Sequence, residues 1–321
     1  IKGANYLDSL CNIGTLFLDK TGTLTYGNFE VKKLVTNEVT EGELKEALLA
    51  AESRSNHPIA KAICLHQNVS EIALKQEDYE EIAGLGIKTT FDGHIILAGN
   101  YELLCKYGVF AEEIDVPGTI IYVAKDGNFI GYVTIEDTIR DKAKTLIQKL
   151  DQLGIKTVLL SGDKLATVEY VASEVGIKYY HAKLLPQDKT KFVEEAIENN
   201  SSKKLVAFAG DGINDTPSII RADVGFDMGG IGSDVAVENA DIVIMQDHPL
   251  KVYDSIKIAK KTRARALFNI IFALTVKVSV IVLLIAQVLS GEAMLIAMLA
   301  DTGLTVVLTL FSWLLIYSKV K

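Results

Sequence analysis

Residues 15–25, Thr-Leu-Phe-Leu-Asp-Lys-Thr-Gly-Thr-Leu-Thr, set the tightest limit on what this chain can fold into. The run Thr15–Leu18 reads as a short buried strand, and Asp19 stands where that strand ends and the chain turns. Gly22 lets the backbone fold closely around whatever Asp19 holds, and the neighbouring threonines supply hydroxyls and free N–H groups. The design recurs twice: Thr157–Leu160 runs into Ser161-Gly162-Asp163, and Leu205–Ala209 runs into Gly210-Asp211-Gly212. Val224–Phe226 and Ile242–Met245 are two further short strands. Helical patterns lie between them: Lys142–Leu153 closed by Gly154, a helix ending near Val175 before Gly176, and Lys189–Glu198. Strands that alternate with helices and end in polar turns predict a doubly wound parallel sheet with its chemistry at the carboxyl edge.

Between Thr36 and Val133 the texture changes. Glu41–Ala51 reads as a helix with Thr40 as N-cap and Glu43 three residues on. Ser53-Arg54-Ser55-Asn56-His57-Pro58 interrupts it, and Ile59–Leu65 restarts it with Pro58 at a helix-opening position. Short alternating strands follow at Tyr79–Ala83, Ile87–Phe91, His94–Ala98, Thr119–Ala124 and Phe129–Ile135, with hairpin turns at Asp92-Gly93 and Asp126-Gly127. This predicts a small α+β insert inside the α/β domain rather than after it.

The chain ends in two long apolar segments, Ala266–Leu289 and Ala293–Tyr317, each longer than the roughly 20 residues that cross a bilayer. Ser290-Gly291-Glu292 joins them, which predicts a transmembrane hairpin. Lys257, Lys260, Lys261, Arg263 and Arg265 precede it and Lys319 and Lys321 follow, so both outer ends face the cytoplasm with the α/β domain. These segments account for the positive mean hydropathy of +0.24. The net charge of −8 argues against nucleic acid as a partner. Cys11, Cys64 and Cys105 form no Cys-x-x-Cys pair and read as reduced thiols. The chain begins at Ile1 rather than Met, and is expected to be a piece of a longer polypeptide.

The stretch Asp19–Thr25 resembles the phosphorylation signature of the P-type ATPases, members of the haloacid-dehalogenase-like superfamily. The resemblance extends in order along the chain. It implies a haloacid-dehalogenase-like α/β sheet with an inserted α+β nucleotide-binding domain and a C-terminal transmembrane hairpin. The corresponding boundaries are 1–35 and 134–260 for the phosphorylation domain, 36–133 for the nucleotide-binding domain and 261–321 for two membrane helices. Asp19 is then the nucleophile, taking the terminal phosphoryl group of ATP as an acyl phosphate. Phosphatases of the superfamily carry a second aspartate two residues on; Thr21 stands there, so the phosphoenzyme should persist.

By the same resemblance, Gly210–Asp215 matches the hinge motif of the family. Asp211 is implied to hold Mg²⁺ together with Asp19, the Thr21 carbonyl and Asp215, with Asn214 and Asp215 orienting the phosphoryl site. Lys189, after Leu185-Pro186-Gln187-Asp188, is implied to contact the phosphoryl oxygens. Ser161-Gly162-Asp163 occupies the place of the family's Thr-Gly-Asp, with one methyl fewer. In the insert, Ser55–Pro58 resembles the Ser-x-His-Pro signature of the heavy-metal branch, which implies Glu52, His57, Gly84, Gly86, Gly99 and Asn100 around the nucleotide.

In the membrane segments, Lys277 and Asp301 resemble the zinc/cadmium/lead subgroup, with Asp301 available to a divalent cation once Lys277 moves aside. A purely structural Lys–Asp pair is the other reading of these two charges. The resemblance thus implies ATP-driven export of Zn²⁺, Cd²⁺ or Pb²⁺ across a membrane, expected to be a prokaryotic plasma membrane. Partners are ATP, a heavy-metal ion, the lipid bilayer and an upstream half with the actuator domain and the membrane cysteine motif. Other readings are a pump for copper or potassium, a membrane-tethered phosphatase of the superfamily, and a regulatory fragment that only binds nucleotide.

Overall fold

The structure is a computed structural model. It describes all residues except 67–75, 202, 212–214, 229–237, 246–247, 287–301 and 314–321. Two six-stranded sheets organise it. The first is parallel and is built by β1 (Ile13–Asp19) at its centre. The order on one side is β8 (Lys156–Leu160) then β9 (Tyr179–His181); on the other it is β10 (Leu205–Gly210), β11 (Val224–Asp227) and β12 (Ile242–Val243). The chain order reverses between β1 and β10, so loops from both sides open into a crevice at the end of β1.

The apolar run of β1 is continuous because both of its faces are covered. Leu16 and Leu18 enter a core with α1 (Ala4–Cys11), α5 (Ala143–Gln152) and α6 (Leu165–Val175). Phe17 points the other way, into a core with Val193 of α7 (Pro186–Glu198) and Ile219 of α8 (Thr216–Arg221).

The second sheet is antiparallel, in the order β2-β7-β6-β5-β4-β3. Its strands are β2 (Thr25–Thr36), β3 (Gln76–Ile82), β4 (Gly86–Phe91), β5 (His94–Gly99), β6 (Thr119–Lys125) and β7 (Asn128–Ile139). Helices α2 (Glu41–Glu52) and α3 (Pro58–His66) cover one face, and α4 (Tyr101–Lys106) the other. The predicted cap of α2 is formed: Thr40 Oγ1 accepts from the Glu43 N–H, and Glu43 accepts from the Thr40 N–H at 2.9 Å. The sequence reading lacked β2, β9 and α4. In β2 charged and apolar residues alternate only over positions 29–32, and the strand begins inside the polar signature, which hides its start. It pairs with β7 from Thr25↔Ile139 to Thr36↔Gly131, so a two-stranded ribbon joins the insert to the core.

Among the described residues, one helix, α9 (Leu250–Ile285), is long and apolar enough through Leu283 to cross a membrane. It is a single rod of about 54 Å at 1.5 Å per residue. Its first turns bury Val252, Ile256 and Ala259 against the core, whereas Leu267, Ile271 and Leu274 further along are exposed. Burial thus changes sides where the basic run ends. Of the second predicted span, α10 (Leu304–Trp313) is described, and Asn269 of α9 donates to its Ser312 Oγ at 2.6 Å. The linking turn 290–292 and Asp301 lie outside the described residues, so the Lys277–Asp301 pairing does too.

Candidate active site

Asp19 closes β1 and is only 5% exposed. Lys189, in the first turn of α7, reaches across the sheet end to it. Its Nζ lies 2.6 Å from Asp19 Oδ1 and 2.8 Å from Asp215 Oδ1. Far from sitting on a solvated helix face, this lysine is buried, because Pro186 opens α7 and Asp188 accepts the Leu185 N–H at 3.0 Å. That fixes the start of the helix and aims its first turn at the crevice.

Three acids and one cation share the pocket, and the energetics follow. Burial, then the Asp215 charge, pushes the Asp19 carboxyl up to about 7, against the pull of Lys189. Burial likewise raises Asp215. Burial works against the Lys189 ammonium too, but Asp19 and Asp215 outweigh it and its pKa lies above the usual lysine value. One ammonium does not neutralise this cluster, so the site favours a further cation.

The residues present fit Mg²⁺. Asp211 Oδ1 is buried without a hydrogen-bond partner, and so is Thr23 Oγ1. Gly22, at φ +72°, brings the loop so close that a Cβ there would lie 2.9 Å from Asp211 Cβ. Asp19, Asp211 and the Thr21 carbonyl are hard oxygen donors of the kind Mg²⁺ takes, with water and phosphate oxygens completing the set. The Thr21 side chain is exposed. Asn214 lies outside the described residues. Ser161 is buried and its Oγ accepts from the Asp163 N–H at 3.2 Å, which shapes the Ser-Gly-Asp turn. The missing methyl leaves that turn intact. Gly162 is close to the Leu184 carbonyl, at 3.1 Å from a Cβ built there.

Four residues that the sequence reading passed over hold the loop. Lys20 is buried and pairs with Asp163 at 2.6 Å and Asp137 at 3.9 Å. Thr25 Oγ1 donates to Asp137 at 2.5 Å. Arg140 donates through Nε to the Thr25 carbonyl at 2.9 Å and through Nη2 to the Gly22 carbonyl at 2.7 Å. Its fork therefore sets the backbone of the signature loop from the strand that leaves the insert. The signal was an acid and a base three residues apart at the end of a predicted strand, where the chain re-enters the core.

In the insert, all six residues expected around the nucleotide line one cavity of about 590 Å³: Glu52, His57, Gly84, Gly86, Gly99 and Asn100. Glu52 is buried at its wall, and burial, with Glu81 nearby, pushes its carboxyl up to about 7. His57 Nδ1 accepts from the Ile59 N–H at 3.2 Å, which puts the ring proton on Nε2. Three of these residues also carry structural duties. Gly86 and Gly99 face each other across β4 and β5, and a Cβ on either would lie 2.2–2.3 Å from a partner carbonyl. They are required by strand approach before any ligand arrives. Asn100 spends its side chain on the protein: Nδ2 donates to the Gly84 carbonyl at 3.1 Å and Oδ1 caps α4 at Leu103 N–H. Gly84, at φ +74°, has open space where a side chain would be. A second cavity, of about 410 Å³, shares Asn100, Thr119 and Ile120 with the first and reaches Lys20, Thr21 and Asp163. The two cavities therefore adjoin at these residues, one reaching Glu52 and the other the rim of the Asp19 loop.

Comparison with known proteins agrees with this geometry. A family model for haloacid dehalogenase-like hydrolases matches residues 13–223. The chain is 44% identical over 283 residues to a zinc-transporting ATPase of Synechocystis sp., covering 86% of this chain and 39% of that protein. It is 43% identical over 309 residues to a cadmium, zinc and cobalt-transporting ATPase of Bacillus subtilis, covering 95% of this chain and 43% of that one. The chain thus spans about two-fifths of the length of these relatives. Among solved structures, a zinc-transporting PIB-type ATPase in its E2.Pi state superposes with a TM-score of 0.80 at 31% identity, over 96% of this chain and 51% of that one. The catalytic domain of the CPx-ATPase CopB-B matches with a TM-score of 0.66 at 31% identity, over 80% and 94%.

Proposed function

The chain belongs to the haloacid dehalogenase-like hydrolases and its curated relatives are zinc- and cadmium-transporting P-type ATPases, and on that footing we propose that it is the carboxy-terminal catalytic half of a heavy-metal pump. ATP occupies the insert cavity with its phosphates directed toward Asp19, past the adjoining cavity that Lys20 and Asp163 line. Lys189 holds Asp19 Oδ1, which leaves the other carboxylate oxygen to attack the terminal phosphorus in line. The new bond joins that oxygen to phosphorus, the bond to the ADP oxygen breaks, and Lys189 offsets charge on the equatorial oxygens. Mg²⁺, when bound, screens the phosphates against the Asp19–Asp211–Asp215 cluster. Thr21 offers no carboxyl to a hydrolytic water, so the acyl phosphate outlives its formation.

The cargo is Zn²⁺ or Cd²⁺, with Pb²⁺ as a third candidate, exported across a prokaryotic plasma membrane. Lys277 and Asp301 contribute to its path and an upstream half supplies the remaining ligands. Asp215, Asn214, Ser161, Gly162 and Asp163 frame the phosphoryl site. The observation that carries this reading is the buried Asp19–Lys189–Asp215 triad beside the orphaned oxygen of Asp211. ATP labelled at the γ-phosphorus should give an acid-stable, hydroxylamine-labile phosphoprotein, and Asp19→Asn should give none. Zn²⁺ and Cd²⁺ should stimulate turnover of the full-length protein more than Cu⁺ does; the reverse order defeats the choice of cargo.

A further inference from the structure

Insert and core also touch away from the connecting ribbon. The backbone N–H of Gly118 donates to Thr167 Oγ1 at 3.0 Å. Gly118 stands at the lip of the insert, just before β6. Its φ of +88° turns the N–H out of the sheet, and a Cβ there would lie 2.6 Å from the Ile135 carbonyl oxygen. Backbone geometry therefore pins the donor. The acceptor lies in the first turn of α6, four residues after Asp163, whose carboxylate holds Lys20 beside Asp19. The cleft of about 410 Å³ runs between the two, lined by Lys20, Asp163 and Thr167 on the core and by Asn100 and Gly118 on the insert. A turn further along α6, Tyr170 lies within the electrostatic reach of Glu136 and Lys32 of the connecting ribbon and of Glu174 on its own helix. One helix thus contacts the insert at its tip and runs past its stalk.

We propose that the Gly118–Thr167 hydrogen bond is a latch that holds the insert closed over the catalytic loop, which makes Thr167 a positioning residue for phosphoryl transfer. The proposal rests on the reading that Asp19 takes phosphate from ATP held in the insert. Thr167 touches neither the base cavity nor Asp19; it acts on the distance between them. A single neutral hydrogen bond shifts an open–closed equilibrium by a modest factor, so its loss slows transfer without abolishing it. The latch also ties closure to the Asp163–Lys20 pair through one helical turn, so opening the insert loosens the signature loop.

Thr167→Val keeps the shape and removes the acceptor; Thr167→Ser keeps the acceptor. In the full chain, Thr167→Val should slow phosphorylation of Asp19 at saturating ATP about five-fold, while affinity for a non-hydrolysable ATP analogue stays within about two-fold. Amide exchange at Gly118 should speed up by a similar factor, and Thr167→Ser should restore both. Unchanged labelling and unchanged Gly118 exchange in Thr167→Val overturn the latch. So does slower labelling matched by an equal loss of analogue affinity and melting temperature, which is the signature of simple destabilisation. If the wild-type chain takes no phosphoryl group at all, the reading of Asp19 fails, and the exchange rates still decide whether the latch exists.

Discussion

Asp19 in the core and Glu52 in the insert are both buried acids whose carboxyl groups burial pushes up to about 7. Their company differs. Asp19 has an ammonium at 2.6 Å and two further carboxylates in its field. Among the described residues, the charge that acts on Glu52 is another acid, Glu81, and that raises it further. A cation delivered with substrate can therefore complete the first site and restore its charge, whereas the second is most comfortable neutral. The two acids are raised alike by burial, and they differ in that a cation and two carboxylates surround the first whereas a further acid stands by the second.

The most severe way to break this comparison is to remove the core's charges. Asp19→Asn should abolish the phosphoenzyme, and Lys189→Met should slow its formation by roughly 10²–10³-fold; a Lys189→Met chain that labels normally would dissolve the contrast. Next comes pH. The native Asp19 carboxyl binds its proton more tightly than the unfolded one, so stability falls as pH rises from about 4 through about 7 and stays low above that. In metal-free buffer at pH 8, Asp19→Asn should melt roughly 5 °C above wild type, with the gap closing by pH 4. Mg²⁺ should narrow the gap at pH 8 by stabilising the wild type.

Glu52→Gln should show the same sign for the same reason, raising the melting temperature by roughly 4 °C at pH 8 and by little at pH 4. Mg²⁺ should leave that gap unchanged. Equal responses of the two variants to Mg²⁺ would erase the distinction between the sites. A last pair of variants tests the frame of the insert cavity. Gly99→Ala drives a Cβ into the Leu85 carbonyl at 2.2 Å and should cost about 3 kcal/mol. Gly84→Ala meets open space and pays only for its positive φ, about 1 kcal/mol. Urea denaturation monitored in the insert ranks the two.

Much of the site was legible because its chemistry is local in sequence. A strand that ends in Asp19, a turn that needs Gly22, and the Gly-Asp turns of two neighbouring strands must meet at one sheet edge once the sheet is parallel. What the sequence left open was geometry that depends on a partner far along the chain. Lys189 was readable as a lysine near a helix start; its burial between Asp19 and Asp215 needed α7 folded across the sheet. Arg140 and Gly22 are separated by 118 positions, and nothing in either stretch announces the other.

The sequence by itself determined the fold class, the order of the polar loops and the apolar tail, because periodicity, turn chemistry and hydrophobic length are properties of neighbouring residues. Only the tertiary structure decided which charges are buried together, what Gly86, Gly99 and Asn100 are for, and how Gly118 meets Thr167. Burial and distance arise when remote segments close on one another, and electrostatic energy in that low-dielectric space depends on those separations rather than on residue type.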